Sequence, residues 1–220
     1  MHPDYKLLIF DWDGTLANSI GRIVESMHVA SDRTGFARRD DFAVKGIIGL
    51  GLPEAIRSLY PEIADDELSV FRQHYADHYI ALEAEPSPLF DGVADTLQTL
   101  RDEGYHLAVA TGKARRGLDR VLKSHGWDDY FDITRAADET ASKPHPLMLE
   151  QILAHCNVRP EQALMVGDSS FDLQMARNAG MGSVAVSYGA QTIEALRAFE
   201  PCLAIDHFPE LHAWLSRRAG

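Results

Sequence analysis

The sequence predicts an α/β protein: a parallel sheet wrapped by helices, with an all-helical lobe inserted after the first strand. Three observations carry that expectation. The chain opens on Leu7-Leu8-Ile9-Phe10, an apolar run of the kind that forms a buried strand. A stretch of about 65 residues, roughly 18 to 85, then reads as helix throughout. From Leu89 onward short apolar runs alternate with amphipathic stretches, the pattern of parallel strands joined by right-handed crossovers.

After the opening strand, Ile20, Ile23, Val24, Met27 and Ala30 recur at helical spacing, which predicts a helix over 19–33 closed by Thr34-Gly35. Arg39-Asp40-Asp41 opens a short helical piece that runs to Lys45 or Gly46. Residues 46–53, Gly-Ile-Ile-Gly-Leu-Gly-Leu-Pro, are apolar and punctuated by glycine. A loop of that composition is expected to pack over a site rather than lie bare on the surface. Pro53 suits the first turn of a helix through Ile56 and Leu59, and Leu68, Phe71, Tyr75, Tyr79 and Leu82 form a core-facing stripe on the next. Glu85-Pro86-Ser87-Pro88 reads as the return hinge. The expected division is therefore a core domain of 1–17 and 86–220 and a helical domain of 18–85.

The α/β series follows: helix 93–103, strand 106–111, helix 114–125, a short strand 131–134, helix 146–156, strand 163–167, helix 171–178, strand 183–187, an edge strand 203–205 and a last helix 209–217. Gly104, Gly126 and Gly180 close three of these helices.

The bulk numbers exclude several classes. With 220 residues, 45% hydrophobic and 25% charged, the chain has the composition of an ordinary globular protein with one substantial core and room for a smaller lobe. Lys+Arg 21 against Asp+Glu 33 gives a net charge of −12, which disfavours broad electrostatic binding to nucleic acid or anionic lipid. A phosphorylated ligand would need local positive charge to overcome that field. No apolar run approaches the roughly 20 residues that span a bilayer, and no basic segment followed by an apolar core opens the chain. A cytoplasmic protein is expected, acting on a small molecule and monomeric or weakly dimeric. Cys156 and Cys202 lack CxxC spacing and read as reduced packing residues.

The chemistry gathers at strand ends. Phe10 runs into Asp11-Trp12-Asp13-Gly14-Thr15, so a buried strand delivers two carboxylates spaced i, i+2 to its carboxyl end, where ligands sit in open α/β sheets. Asp-Gly is also turn chemistry, and the later strand ends decide between the two. The strand 106–111 ends at Thr111-Gly112-Lys113, a hydroxyl, a glycine that lets backbone N–H groups approach an anion, and a charge. Ser142-Lys143-Pro144 holds a lysine in a rigid frame before a helix, where a fixed ammonium can neutralise phosphoryl oxygens. The strand 163–167 ends at Asp168, with Asp172 four residues on. Crowded carboxylates with no His or Cys cluster suit Mg²⁺ rather than zinc. An ionised carboxylate beside such an ion can attack phosphorus and form an acyl phosphate.

In this order the four stations resemble the haloacid dehalogenase superfamily of phosphohydrolases, over essentially the whole chain. The first resembles its DxDGT signature (Asp11, Asp13, Gly14, Thr15), the second its strand-end Thr (Thr111), the third its Lys (Lys143) and the fourth its GDxxxD (Gly167, Asp168, Asp172). The inserted helices resemble the C1-cap branch that holds phosphoglycolate phosphatase-like enzymes and β-phosphoglucomutase. The resemblance implies a Rossmann-like core with a helical cap and a Mg²⁺-dependent phosphoric monoester hydrolase. It implies Asp11 as nucleophile, Asp13 as general acid and base, and Thr111, Gly112, Lys113 and Lys143 around the phosphoryl group. It further implies Mg²⁺ on the Asp11 carboxylate, the Asp13 backbone carbonyl and Asp168, with Asp172 ligating or orienting.

An aspartate at 13 favours phosphate esters over the dehalogenase and phosphonatase chemistries of that superfamily. Asn18 and Gly112 depart from its usual aspartate and its usual asparagine or serine, changes expected to bear on lobe movement or substrate fit. A phosphosugar mutase would use the same Asp11 and Asp13. A receiver-type signalling module would need neither the helical insertion nor Asp13, and a silent binding protein would not need the full acidic set. Substrate choice is expected in the lobe and in 46–53, for a small metabolite with an acidic or hydroxylated remainder, with Lys45, Arg57, Arg115 and Arg116 as candidate anion contacts.

Overall fold

The computed structural model describes residues 4–219, among which six strands form one parallel sheet of order β3-β2-β1-β4-β5-β6. The strands are β1 Leu7–Phe10, β2 His106–Thr111, β3 Ile133–Ala136, β4 Ala163–Gly167, β5 Gly182–Val186 and β6 Leu203–Ile205. All four residues of β1 are fully buried, which explains why its sequence is continuously apolar rather than alternating.

Strand side chains alternate between faces, and each face has its own helices. Leu8 and Phe10 pack with Val93 and Leu97 of α5 (Val93–Asp102), Leu118 of α6 (Arg115–Ser124) and Leu211 of α10 (Glu210–Ala219). Leu7 and Ile9 pack with Met148 and Ile152 of α7 (Leu147–Cys156) and Met175 of α8 (Ser170–Asn178). Each such side chain contributes about 1.5–3 kcal/mol by leaving water. The chain winds outward from β1 to β3 on one side and from β4 to β6 on the other. Loops therefore diverge at the carboxyl end of β1 and open a crevice there.

Between β1 and β2 lie α1 (Ile20–Thr34), α2 (Asp41–Lys45), α3 (Leu52–Leu59) and α4 (Asp65–Leu82), built around a separate apolar cluster that includes Met27, Val44, Ile56, Leu59 and Phe71. Gly35 closes α1 in the left-handed region at φ 77°, a conformation that glycine adopts without strain. Asp40 caps α2 by accepting the Ala43 N–H at 2.7 Å. The two crossings between lobe and sheet run side by side, with Ala17 bridged to Leu89 and the Asn18 N–H donating to the Pro88 carbonyl at 2.8 Å. Asn18 thus lies at the crossing between lobe and sheet.

Two elements differ from expectation. The third strand begins at Ile133 rather than Phe131, because Phe131 drops into the apolar core and Asp132 turns to accept the Leu107 N–H at 2.8 Å. A short helix α9 (Ile193–Arg197), capped by the Thr192 hydroxyl, lies between the strands expected at 183–187 and 203–205, where the sequence predicts no element. Five residues are too few to display a helical period.

Residues 46–51 seat the lobe on the sheet. The Gly51 N–H donates to Ser142 Oγ at 2.8 Å. At Gly112 an added Cβ would stand 2.5 Å from the Leu50 carbonyl oxygen and 2.6 Å from that of Gly49, so only glycine admits this approach. Gly112→Ala is therefore expected to lift the lobe and leave the sheet intact. Hydrogen exchange should speed up across 46–51 and not in β1 or β4; unchanged exchange across 46–51 would contradict this packing.

Asp132 also accepts from His106 Nδ1 at 3.1 Å. Burial alone would raise its pKa, but the Leu107 N–H and His106 together pull it below the usual carboxylate value. Its contribution to stability is thus present above the usual pKa and lost as pH falls through the lowered one. The difference in Tm between wild type and Asp132→Asn should shrink as pH drops below about 4.

Candidate active site

Asp11 lies one residue past β1, its N–H donating to the Val166 carbonyl of β4 at 3.0 Å. Thr111 ends β2 and Asp168 follows β4, so three neighbouring strands bring Asp11, Thr111 and Asp168 to one edge. Lys143 enters from the loop before α7 with its side chain fully buried. Its Nζ donates to Asp11 Oδ1 at 2.6 Å and to Asp172 Oδ1 at 2.7 Å. Asp172 stands in the first turn of α8, where its Oδ2 accepts from the Ser169 N–H at 3.1 Å and the Ser169 hydroxyl at 2.6 Å. Asp168 Oδ1 accepts from Thr15 Oγ1 at 3.0 Å and Oδ2 from the Ala190 N–H at 2.7 Å. Gly14, at φ +84°, passes so close that a Cβ would stand 2.2 Å from Asp168 Oδ2.

The electrostatics of this cluster are one-sided: three buried carboxylates share one ammonium. Burial raises the pKa of Asp11 well above the usual value; Lys143 pulls it back, and the charges of Asp172 and Asp168 push it up again. Burial, then Asp172, pushes Asp168 up to about 7 against the hydrogen bonds from Ala190 and Thr15. Burial would lower Lys143, but Asp11 and Asp172 hold it above its ordinary value, and it stays charged.

An oxygen from each of Asp11, Asp168 and Asp172 lies within 4.8 Å of the others. Asp11 Oδ2 is buried with no hydrogen-bond partner among the described residues. A hard divalent cation is the group that such an all-oxygen, negatively charged set suits. Both oxygens of Asp172 and both of Asp168 hold protein donors, but only Asp172 is paired with the Lys143 ammonium, and that charge pairing favours an orienting role for it over ligation. The Asp13 carboxylate is not in this trio: its Oδ1 takes the Ser19 hydroxyl at 2.6 Å and Lys113 Nζ at 3.1 Å. The sequence expectation for Asp13 as a ligand accordingly concerns only its backbone carbonyl.

A cavity of about 460 Å³ lies between the lobe and this edge, with Asp11, Asp13, Gly112 and Lys113 on its wall and Ile48, Tyr75 and Tyr79 on the lobe side. Thr111 and Lys143 stand behind that wall; Thr111 is fully buried, and its Oγ1 accepts the Lys113 N–H at 3.2 Å. Of the four cations expected as anion contacts, Arg116 lines the cavity and the others do not. Arg57 pairs with Asp65, and Arg115 with Asp119 and Glu139. Sequence charge does not reveal which carboxylate a guanidinium meets. Sequence reasoning also missed Ser19, which follows Asp13 at no diagnostic spacing. Tyr79 was legible only as a packing residue, since a core stripe and a cavity wall share one helical period.

The model of the haloacid dehalogenase-like hydrolase family matches residues 8–186. The chain belongs to that family. It is 34% identical over 209 residues to the "Probable phosphatase IndB" of Dickeya dadantii, covering 93% of this chain and 91% of that one. It is 31% identical to the phosphoglycolate phosphatase of Vibrio vulnificus and to the pyrophosphatase PpaX of Halalkalibacterium halodurans, each match covering 94% of this chain and 95% of the relative. The haloacid dehalogenase-like family hydrolase of Streptococcus pneumoniae has a crystal structure that superposes with a TM-score of 0.83 at 25% identity, covering 96% of this chain and 98% of that one. This family member is thus a phosphatase. Among the described residues, no helix is long and apolar enough to cross a membrane.

Removing the one ammonium from the buried trio should be costly. Lys143→Met is expected to lose about 3–5 kcal/mol of stability in urea unfolding with EDTA present. Mg²⁺ should restore part of that loss, because a divalent ion replaces the missing charge. An equally stable variant would show that the carboxylates are not held by this pairing.

Proposed function

We propose that this phosphatase is Mg²⁺-dependent and hydrolyses a small phosphorylated metabolite, of phosphoglycolate or sugar phosphate type, through an aspartyl-phosphate at Asp11. The observation that carries this reading is the Asp11 carboxylate. One of its oxygens is anchored on Lys143, the other has no partner among the described residues, and the residue stands on the wall of the cavity between lobe and sheet. The relatives named for phosphoglycolate and pyrophosphate support a small substrate.

In this reading the helical lobe, residues 18–85, covers the substrate, and the remainder of the chain carries the chemistry. The unpartnered Asp11 oxygen attacks phosphorus from within a fixed geometry, which removes most of the orientational cost of the step. Lys143 neutralises charge on Asp11 and on the phosphoryl oxygens, and Thr111, the Gly112 N–H and Lys113 lie beside the space those oxygens would take. Asp13 gives a proton to the leaving oxygen and takes one from the water that follows. Mg²⁺, when bound by Asp11, Asp168 and the Asp13 backbone carbonyl with Asp172 behind them, would neutralise further phosphoryl charge. The lobe excludes bulk water, so each of these charges acts in a low-dielectric space. The use of two reduced cysteines fits a cytoplasmic setting.

The protein with Mg²⁺ is expected to release inorganic phosphate from a panel of small phosphomonoesters, with activity lost in EDTA and regained on adding Mg²⁺. Asp11→Asn should be inactive, and Asp13→Asn should lose about 10²–10⁴-fold. Isomer formation on a sugar phosphate without phosphate release would replace this reading with a mutase. No turnover of any ester would overturn it.

A further inference from the structure

Lys113 has contacts that a simple phosphate-binding lysine would not need. Its ammonium lies 3.1 Å from Asp13 Oδ1 and donates to the Tyr79 hydroxyl at 3.0 Å. Only a tenth of its side chain is exposed. Tyr79 belongs to α4 of the lobe, where it packs with Ile23 and Ile48 and stacks on Tyr75 with ring centroids 5.8 Å apart. One of its three donors is committed to Tyr79, and Asp13 Oδ1 lies within ion-pair distance. The Ser19 hydroxyl meets the same Asp13 oxygen at 2.6 Å. Among the described residues, no hydrogen bond reaches Asp13 Oδ2, and Asp13 lines the cavity. One oxygen of this carboxyl is therefore clamped and the other is left for substrate.

We propose that Lys113 is a positioning residue for Asp13 and that Tyr79 is the lobe's hold on it, so that the acid–base step is assembled when the lobe is seated. This rests on the phosphatase reading. In the first half-reaction the bond from phosphorus to the ester oxygen breaks as the bond to Asp11 forms. The electron pair goes to the ester oxygen, which takes the Asp13 proton. Negative charge then grows on Asp13 beside the Lys113 ammonium, which stabilises it. In the second half-reaction water attacks phosphorus and passes its proton to Asp13, and Asp11 leaves as inorganic phosphate forms.

The dependence on leaving group separates this role from a structural one. A poor leaving oxygen needs the proton and a good one does not. Losing Lys113 or its hold should therefore slow alkyl esters far more than aryl esters. Wild type, Tyr79→Phe, Lys113→Met and Lys113→Arg should be compared on 2-phenylethyl phosphate and p-nitrophenyl phosphate, two esters of similar bulk. The readout is kcat/KM, which reports only as far as phosphoryl transfer to Asp11.

For Tyr79→Phe, which keeps the ring and its packing, about a tenfold loss is expected on the alkyl ester and less than about twofold on the aryl ester. Lys113→Met, which also loses a charge beside the phosphoryl site, should fall about a hundredfold on the alkyl ester and by clearly less on the aryl ester, with partial recovery in Lys113→Arg. Parallel losses on both esters, or none on either, in Tyr79→Phe would overturn the inference while leaving the phosphatase reading in place, and that variant decides the matter if Lys113→Met does not fold. A wild-type protein inactive on both esters would overturn the phosphatase reading and the inference with it.

Discussion

The structure depends on a buried ammonium that holds together carboxylates with every electrostatic reason to separate. Lys143 donates to Asp11 and Asp172, and all three are withdrawn from water. Ions in such a place are tolerated only when paired and hydrogen-bonded, because desolvation otherwise outweighs their attraction. Every other oxygen of Asp172 and Asp168 has a donor as well, from Ser169, Thr15 and Ala190. The exception is Asp11 Oδ2. Among the described residues, the one atom of this network left without a donor is the oxygen proposed to bond phosphorus.

The sheet makes that network possible. Parallel strands all end on the same side, and the order β3-β2-β1-β4-β5-β6 places the first strand of the chain at the centre. Residues 11, 111 and 168 are far apart along the chain and adjacent in space for that reason alone. Two dense layers of apolar side chains, one on each face of β1, fix the strands and with them the register of the polar residues at their ends. In such an arrangement precision at the site follows from packing elsewhere.

The lobe adds a second kind of constraint. It meets the rest of the chain through backbone at 49–51, through Tyr79, through an ion pair between Glu83 and Arg120 at 2.8 Å, and through Ala190 packed against Ile23 and Ile48. Most of these contacts are polar and directional. Gly112 and Asn18, where the chain departs from the superfamily's usual residues, both lie on this boundary. Gly112 gives room for the Gly49 and Leu50 carbonyls, and Asn18 pairs through its backbone with Pro88 at the crossing from lobe to sheet. The departures concern how the lobe sits, and the buried trio is untouched.

The sequence by itself determined the α/β class, the sites of the strands and most helices, and the identity of the polar residues at the strand ends. Hydrophobic periodicity and strand-end chemistry are local properties, and they survive being read in one dimension. It also marked residues 46–53 as a loop that closes over something, since glycine-punctuated apolar chain is out of place in water. Only the tertiary structure decided which charges meet. Arg57 and Arg115 turned to Asp65 and Glu139, Lys113 to Asp13 and Tyr79, and Ser19 to Asp13. Lys113 meets Asp13 and Tyr79 across 100 and 34 positions of chain, and Arg115 meets Glu139 across 24. Coulomb attraction acts through space and ignores sequence order, so the pairing of charges is settled by the fold that brings them within reach.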